Sequence, residues 1–255
     1  MIAITREVPA SFVRALSMTP SAIDVSLARE HHVAYAAALR ACGAKVTIVA
    51  ADEACPDCCF VEDTAVIVGD RALITRPGAP SRRAETPAIA DALRPHVELF
   101  AMDDPATLDG GDCMRVGDTI YVGRSQRTNA AGIARLAEVF GPMAGSRAKI
   151  VPIDMPPGVL HLKCVCSPLD DERILLADDS IPASQFDALV IRVPASETYA
   201  ANAVAIGTHV IVADGFPRTH EALASAGFTL HPVPTSEVRR ADGSLTCQSL
   251  IVARS

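Results

Sequence analysis

Ala65-Val66-Ile67-Val68-Gly69-Asp70-Arg71-Ala72-Leu73-Ile74-Thr75 sets two short apolar runs on either side of a Gly-Asp pair. Such runs around a glycine turn read as a β-hairpin. The pattern predicts a helix over 85–93 and a strand over 97–100 behind it. The same order then returns. Residues 112–116, the turn Gly117-Asp118 and residues 119–122 form a hairpin, with a helix over 129–140 and a strand over 149–153. A third copy uses 161–166, the turn Asp170-Asp171, 174–177 and 189–193. A fourth uses 203–206, the turn Gly207-Thr208, 209–213, a helix over 218–226 and 229–233. The last strand, 245–252, lacks a helix and a partner, and the N-terminal segment supplies both: strand 2–5, helix 22–42, strand 45–49. Joining the two ends makes a fifth unit. The expected fold is therefore α/β, a closed ring of five strand-hairpin–helix–strand modules that leaves no open sheet edge. An open α/β sheet is the alternative that the same alternation permits. Pro77-Gly78-Ala79-Pro80 and Pro156-Pro157-Gly158 punctuate turns and no linker is visible, so one domain over 1–255 is expected.

Composition narrows the function classes. With 49% hydrophobic residues over 255 positions the chain can bury a sizeable core, which excludes a disordered chain. A net charge of −7 argues against a nucleic-acid groove, which needs a basic stripe. No apolar run approaches the roughly 18 residues of a membrane helix. The opening Met1-Ile2-Ala3-Ile4-Thr5-Arg6-Glu7 has no basic region followed by an apolar one. Eight cysteines without a secretion signal then read as reduced thiols of a cytoplasmic protein.

If the modules are related by rotation, the residues that open each first strand converge near the axis. Those positions hold Phe60-Val61-Glu62-Asp63, Asp109-Gly110-Gly111-Asp112, His161, Asn202 and Cys247. Taken alone, Cys247 in an apolar strand reads as a small buried hydrophobe and His161 as a structural histidine. Together, a thiol, an imidazole and several carboxylates at one point are a catalytic inventory. Asp109 would hold the imidazole in one tautomer, although an Asp-Gly-Gly stretch also suits a tight turn. Glu62 and Asp63 are neighbours whose side chains point to opposite faces, and at least one would clamp a cation. Arg82 and Arg127 follow successive hairpins and would form a fork for a carboxylate. The competing signal is Cys55-Pro56-Asp57-Cys58-Cys59, whose C-x-x-C suits redox or zinc chemistry. It lacks a second pair to complete four ligands.

Phe60-Val61-Glu62-Asp63, Arg76-Pro77-Gly78, Leu108-Asp109-Gly110-Gly111-Asp112, Ser125-Gln126-Arg127-Thr128-Asn129, His161-Leu162-Lys163, Tyr199-Ala200-Ala201-Asn202 and Leu245-Thr246-Cys247 stand in order along nearly the whole chain. In these motifs the sequence resembles the dimethylarginine dimethylaminohydrolase family of guanidino-group-modifying enzymes. The resemblance implies a five-bladed α/β propeller and hydrolysis of Nω-methylated arginine to citrulline. It implies Cys247 as nucleophile, His161 as general acid and base, and Asp109 as the carboxylate that orients His161. It places Asp63 on the guanidinium with Glu62 beside it, Arg82 and Arg127 on the α-carboxylate, and Asp57 on the α-amine. Phe60 and Leu16 count with the substrate-binding residues, Leu16 within a lid over 14–18 that is least like the family. Related deiminases carry His-x-Asp, where this chain has His161-Leu162-Lys163. The missing carboxylate leaves room for a methylated nitrogen. A small guanidino amino acid is the expected partner, with no metal, organic cofactor, nucleic acid or membrane, and a homodimer is the assembly considered. Another guanidine hydrolase, or a non-catalytic zinc-binding protein, is the alternative.

Overall fold

The computed structural model describes residues 1–142, 148–178 and 180–253. Strand β1 (Ile2–Arg6), helix α1 (Val25–Ala41) and strand β2 (Lys45–Val49) come first. The Asp24 carboxylate starts α1 by accepting the Ser26 and Leu27 N–H groups, which have no partner inside the helix. A full module follows in β3 (Ala65–Val68), β4 (Arg71–Ile74), α2 (Thr86–Leu93) and β5 (Glu98–Ala101). The next is β6 (Cys113–Val116), β7 (Thr119–Arg124), α3 (Ala130–Phe140) and β8 (Lys149–Asp154). Strands β9 (Cys166–Pro168), β10 (Arg173–Ala177) and β11 (Leu189–Val193) make a module whose connection holds only the short 3-10 helix Ala183–Gln185. Then come β12 (Val204–Ile206), β13 (His209–Ala213), α4 (Pro217–Ser225) and β14 (Thr229–Val233). Helix α5 (Ser236–Arg240) leads to β15 (Leu250–Val252).

Among the described residues the result is five three-stranded sheets, each with an antiparallel first pair and a parallel second pair. Gly69 and Gly117 turn two of the hairpins at φ of +62° and +53°, angles that a side chain resists. The first sheet is built from both ends of the chain, because β15 pairs antiparallel with β1 in the register Ile2↔Val252 to Ile4↔Leu250. Central strands such as β1, β10 and β13 are almost wholly buried, whereas the third strands β2, β5 and β11 are half exposed. Apolar side chains pool between neighbouring sheets: Val66 and Leu73 of one meet Ile120, Val122 and Leu136 of the next. The first strands of all five sheets line one axial cavity, which makes the assembly a five-bladed α/β propeller.

A short 3-10 turn precedes each first strand; the strands expected at 65–68, 112–116 and 203–206 stand within a residue of their bounds, whereas at 161–166 and 245–252 the turn takes the place of the expected strand start. The turns are Val61–Thr64, Gly110–Asp112, Leu162–Cys164, Ala195–Ala201 and Thr246–Gln248; Val61–Thr64 touches both Thr246–Gln248 and Gly110–Asp112, and Leu162–Cys164 touches both Gly110–Asp112 and Ala195–Ala201. His161 and Cys247 thus lie outside the ladders that the alternating pattern assigned to 161–166 and 245–252. Local bonds win there. Cys164 N–H donates to His161 O and Gln248 N–H to Leu245 O, while Asp112 accepts Leu162 N–H and Asn202 accepts Thr246 N–H.

Candidate active site

Two of the hub turns present Asp63 and Cys247, and the position ahead of a third presents His161, to a cavity of ≈ 210 Å³ at one end of the axis. Cys247, His161, Asp63 and Phe60 line it, together with Asp57, Arg82 and Arg127. Leu16, Ser17 and Met18 form a wall from the N-terminal segment. That wall is tied down where Leu16 N–H donates to Asp57 Oδ1 at 3.0 Å and Met18 N–H donates to Asp242. Asp242 also lines the cavity and takes a φ of 54°, a backbone angle that aspartate tolerates better than most residues.

His161 is held from behind. Its Nε2 is 3.0 Å from Asp109 Oδ2, and Asp109 is completely buried with its Oδ1 accepting Gly78 N–H at 2.8 Å. The other ring nitrogen, Nδ1, lies 3.9 Å from Asp63 Oδ1. Burial opposes charge on this ring, but Asp63, the Asp109 hydrogen bond and Asp112 together outweigh it and raise the pKa to about 9. Burial likewise opposes the Asp63 carboxylate, and His161, Arg82 and the Gly111 N–H hold it down at about 2. The Cys247 thiol is pushed well above its usual range by burial, with the Glu62 and Asp63 charges adding to the effect. At neutral pH the resting site therefore holds a neutral thiol, an imidazolium and a carboxylate. A cation seated between them would favour the thiolate.

Arg82 and Arg127 do not form an equal fork. Arg82 Nε and Nη2 bind Glu85, Nη2 also donates to Phe60 O at 2.7 Å, and Nη1 donates to Asp63. Its side chain is 5% exposed, so much of its charge is spent within the wall. Arg127 stands 3.5 Å from Asp109 Oδ2 and its side chain is 20% exposed. Asp57 is buried, which raises its pKa against the pull of Arg82 and Arg127.

Glu62 is placed elsewhere. It turns to the axial cavity on the far side, where Lys163 Nζ donates to Oε1 at 2.6 Å and Thr246 Oγ1 donates to Oε2 at 2.7 Å. Adjacent residues point to opposite faces, so only Asp63 of the pair reaches the ligand cavity. Asn202 joins the same network, bonding Lys163 O and Thr246 through its side chain. This lattice fixes the turns that carry His161 and Cys247.

Sequence reasoning missed several of these supports. Asp112 accepts from Ser125, Thr128 and the Leu162 N–H, and so pins the His161 turn. Its signal was the second aspartate of Asp109-Gly110-Gly111-Asp112. Glu85 was legible only as an acid three residues after Arg82. The Cys55, Cys58 and Cys59 thiols are buried, and among the described residues no metal-ligating cluster includes them. Asp57 is the member of that segment that reaches the cavity. Asp63, Asp109 and His161 do bring ligating atoms within 4.8 Å of one another. Arg82 and backbone N–H groups already engage those carboxylates.

Gly110 and Gly111 permit the close packing here. A Cβ on Gly110 would lie 2.0 Å from Glu62 O, and one on Gly111 would lie 2.7 Å from His161 Nδ1 and 2.9 Å from Asp63 Oδ1. Gly111→Ala is therefore expected to push the imidazole off its partner and cut turnover about 100-fold. Steady-state kinetics checks this, with melting temperature as the control for folding.

A sequence model described as N,N dimethylarginine dimethylhydrolase, eukaryotic, matches residues 10–200. The chain is 37% identical over 230 residues to N(G),N(G)-dimethylarginine dimethylaminohydrolase of Pseudomonas aeruginosa, covering 89% of each. To the Streptomyces coelicolor protein of the same name it is 40% identical over 231 residues, covering 89% of this chain and 87% of that one. A solved Pseudomonas aeruginosa structure, a cysteine-to-serine mutant complexed with citrulline, superposes with a TM-score of 0.89 at 36% identity and 97% coverage of both chains.

Proposed function

The chain belongs to the dimethylarginine dimethylaminohydrolase family, and from that membership we propose that it hydrolyses Nω-methylated L-arginine to citrulline and methylamine or dimethylamine. The reading is carried by one observation: Cys247, His161 Nδ1 and the Asp63 carboxylate face a single cavity sized for an amino acid. In this mechanism the guanidinium sits against Asp63 and displaces water from the thiol. Arg127, with Arg82 behind it, attracts the α-carboxylate, and Asp57 the α-amine. Phe60 and Leu16 pack on the aliphatic stem. The incoming cation lowers the cost of the Cys247 thiolate, whose proton leaves to solvent. Sulfur attacks the guanidinium carbon, and His161 gives its Nδ1 proton to the departing amine. An S-alkylthiouronium remains on Cys247. The now neutral His161 takes a proton from water, hydroxide attacks the same carbon, and the adduct expels the thiolate while its hydroxyl proton passes to solvent, so that citrulline departs. Asp109 keeps the imidazole in place through both halves. Glu62 acts through Lys163 and Thr246 rather than on the substrate.

Lys163 stands where a deiminase carries a second carboxylate, and its ammonium is committed to Glu62. A plain guanidinium thus keeps an unpaired edge, which a methylated nitrogen with fewer hydrogens does not. Citrulline release from dimethylarginine, monomethylarginine and arginine, assayed side by side, tests the reading. Arginine as the preferred substrate would overturn it in favour of a deiminase. The reaction belongs in the cytoplasm, where the eight thiols stay reduced. No helix among the described residues is long and apolar enough to cross a membrane.

The mechanism fixes a pH limb. His161 is charged below a pKa of about 9 and loses its proton above it, so the departing amine loses its acid. Because the Cys247 thiol must also lose its proton, kcat/KM is expected to rise about tenfold per pH unit up to that point and then to level, the loss of the imidazolium offsetting the gain in thiolate. A profile still climbing a full unit higher would remove His161 from the role.

A further inference from the structure

On the flank of the ring, away from the hub, three ligating side chains meet where α1 packs against β14. Cys42 caps the C-terminus of α1, His209 opens β13, and His231 lies in the middle of β14. One ligand atom from each lies within 4.8 Å of the other two. His209 Nδ1 and His231 Nε2 are 3.0 Å apart, with ring centroids at 5.1 Å. Cys42 is buried over a dry floor that includes Tyr35, Leu39, Ile211 and Val233, while both imidazoles are half exposed and open a way in from solvent. None of the three lines the cavity of Cys247.

We propose that Cys42, His209 and His231 form a zinc site separate from the active site, with solvent in the fourth position. A thiolate and two imidazoles, with no carboxylate among them, suit zinc and not magnesium or calcium. Tetrahedral ligation at about 2.0–2.1 Å would set the two nitrogens roughly 3.4 Å apart, a few tenths of an ångström wider than they stand. In the metal-free pair one of these nitrogens carries the shared proton. Binding moves that proton through solvent to the far nitrogen of the same ring, so that both lone pairs face the ion. The Cys42 thiol releases its proton to solvent, and two bonds to nitrogen and one to sulfur form. The ion would tie α1 of the blade that closes the ring to the sheet of its neighbour.

Cobalt(II) titration of the full chain carrying Cys247→Ser tests this without interference from the nucleophile. One equivalent is expected to bring up a thiolate-to-metal charge-transfer band with tetrahedral ligand-field bands, and zinc should abolish both. Adding Cys42→Ser should remove the charge-transfer band, and adding His209→Ala should weaken binding at least about tenfold. Cys42→Ser or His209→Ala alone should turn over at the parental rate, which shows that the variants fold. Absence of the band in Cys247→Ser, or its survival when Cys42→Ser is added, would overturn the proposal. Neither result bears on the hydrolase reading.

Discussion

Cys247→Ser is expected to lower turnover of methylated arginine by at least about 10⁴-fold, because a hydroxyl has no comparable anion to offer at neutral pH. The fold should survive. The turn that carries residue 247 is held by Thr246, whose backbone and hydroxyl bond Asn202 and Glu62, and by Gln248, whose side chain donates to Ser244 O. The cysteine side chain itself is only half buried. Melting temperature should therefore stay near the parental value while ligand binding persists. Isothermal titration with citrulline, alongside citrulline-release kinetics, separates the two properties. Parental rates in the serine variant would sink the assigned nucleophile.

Asp63→Asn carries the second large effect, and it acts on three things at once. The substrate cation loses its buried counter-charge, which is expected to cost about 10³-fold in kcat/KM. His161 loses the strongest of the charges that hold its pKa at about 9, so the pH at which kcat/KM levels should move lower. Arg82 loses one of its two acidic partners, and stability should fall by about 3 kcal/mol, the low end for breaking a buried pair because Glu85 remains. Denaturant melts and pH–rate profiles read these effects independently. A variant with unchanged kcat/KM, or whose profile levels at the parental pH, would show that Asp63 does not do this work.

The ring itself was legible because the hairpin turn recurs four times and the two chain ends supply the strands and helix of a fifth unit, and β2, β11, β13 and β14 run as their periodicity indicates. The starts of the first strands were not. Residues 161–166 and 245–252 alternate apolar and polar as a strand does, yet Asp112 and Asn202, distant in sequence, capture their N–H groups and wind them into turns. The residues assembled at the hub were readable from their shared place in the repeat and from the family motifs. Their partners were less so. That Arg82 would be spent on Asp63 and Glu85, or that Glu62 would face Lys163 across the axis, depends on which way adjacent side chains turn in a 3-10 winding. Alternation in an ideal strand gives only the opposition of Glu62 and Asp63, and not which of the two faces the ligand.

The seam between β1 and β15 gives the enzyme a built-in proofreading of its own integrity. Cys247 stands three residues ahead of β15, and that strand covers the edge of β1. Any chain cut before position 247 loses its sulfur and bares a sticky ribbon at the same stroke, so damaged copies fall silent and become aggregation-prone together. Closing the seam also requires contacts between residues nearly a whole sequence apart, which makes docking of that final segment a late and slow event in maturation.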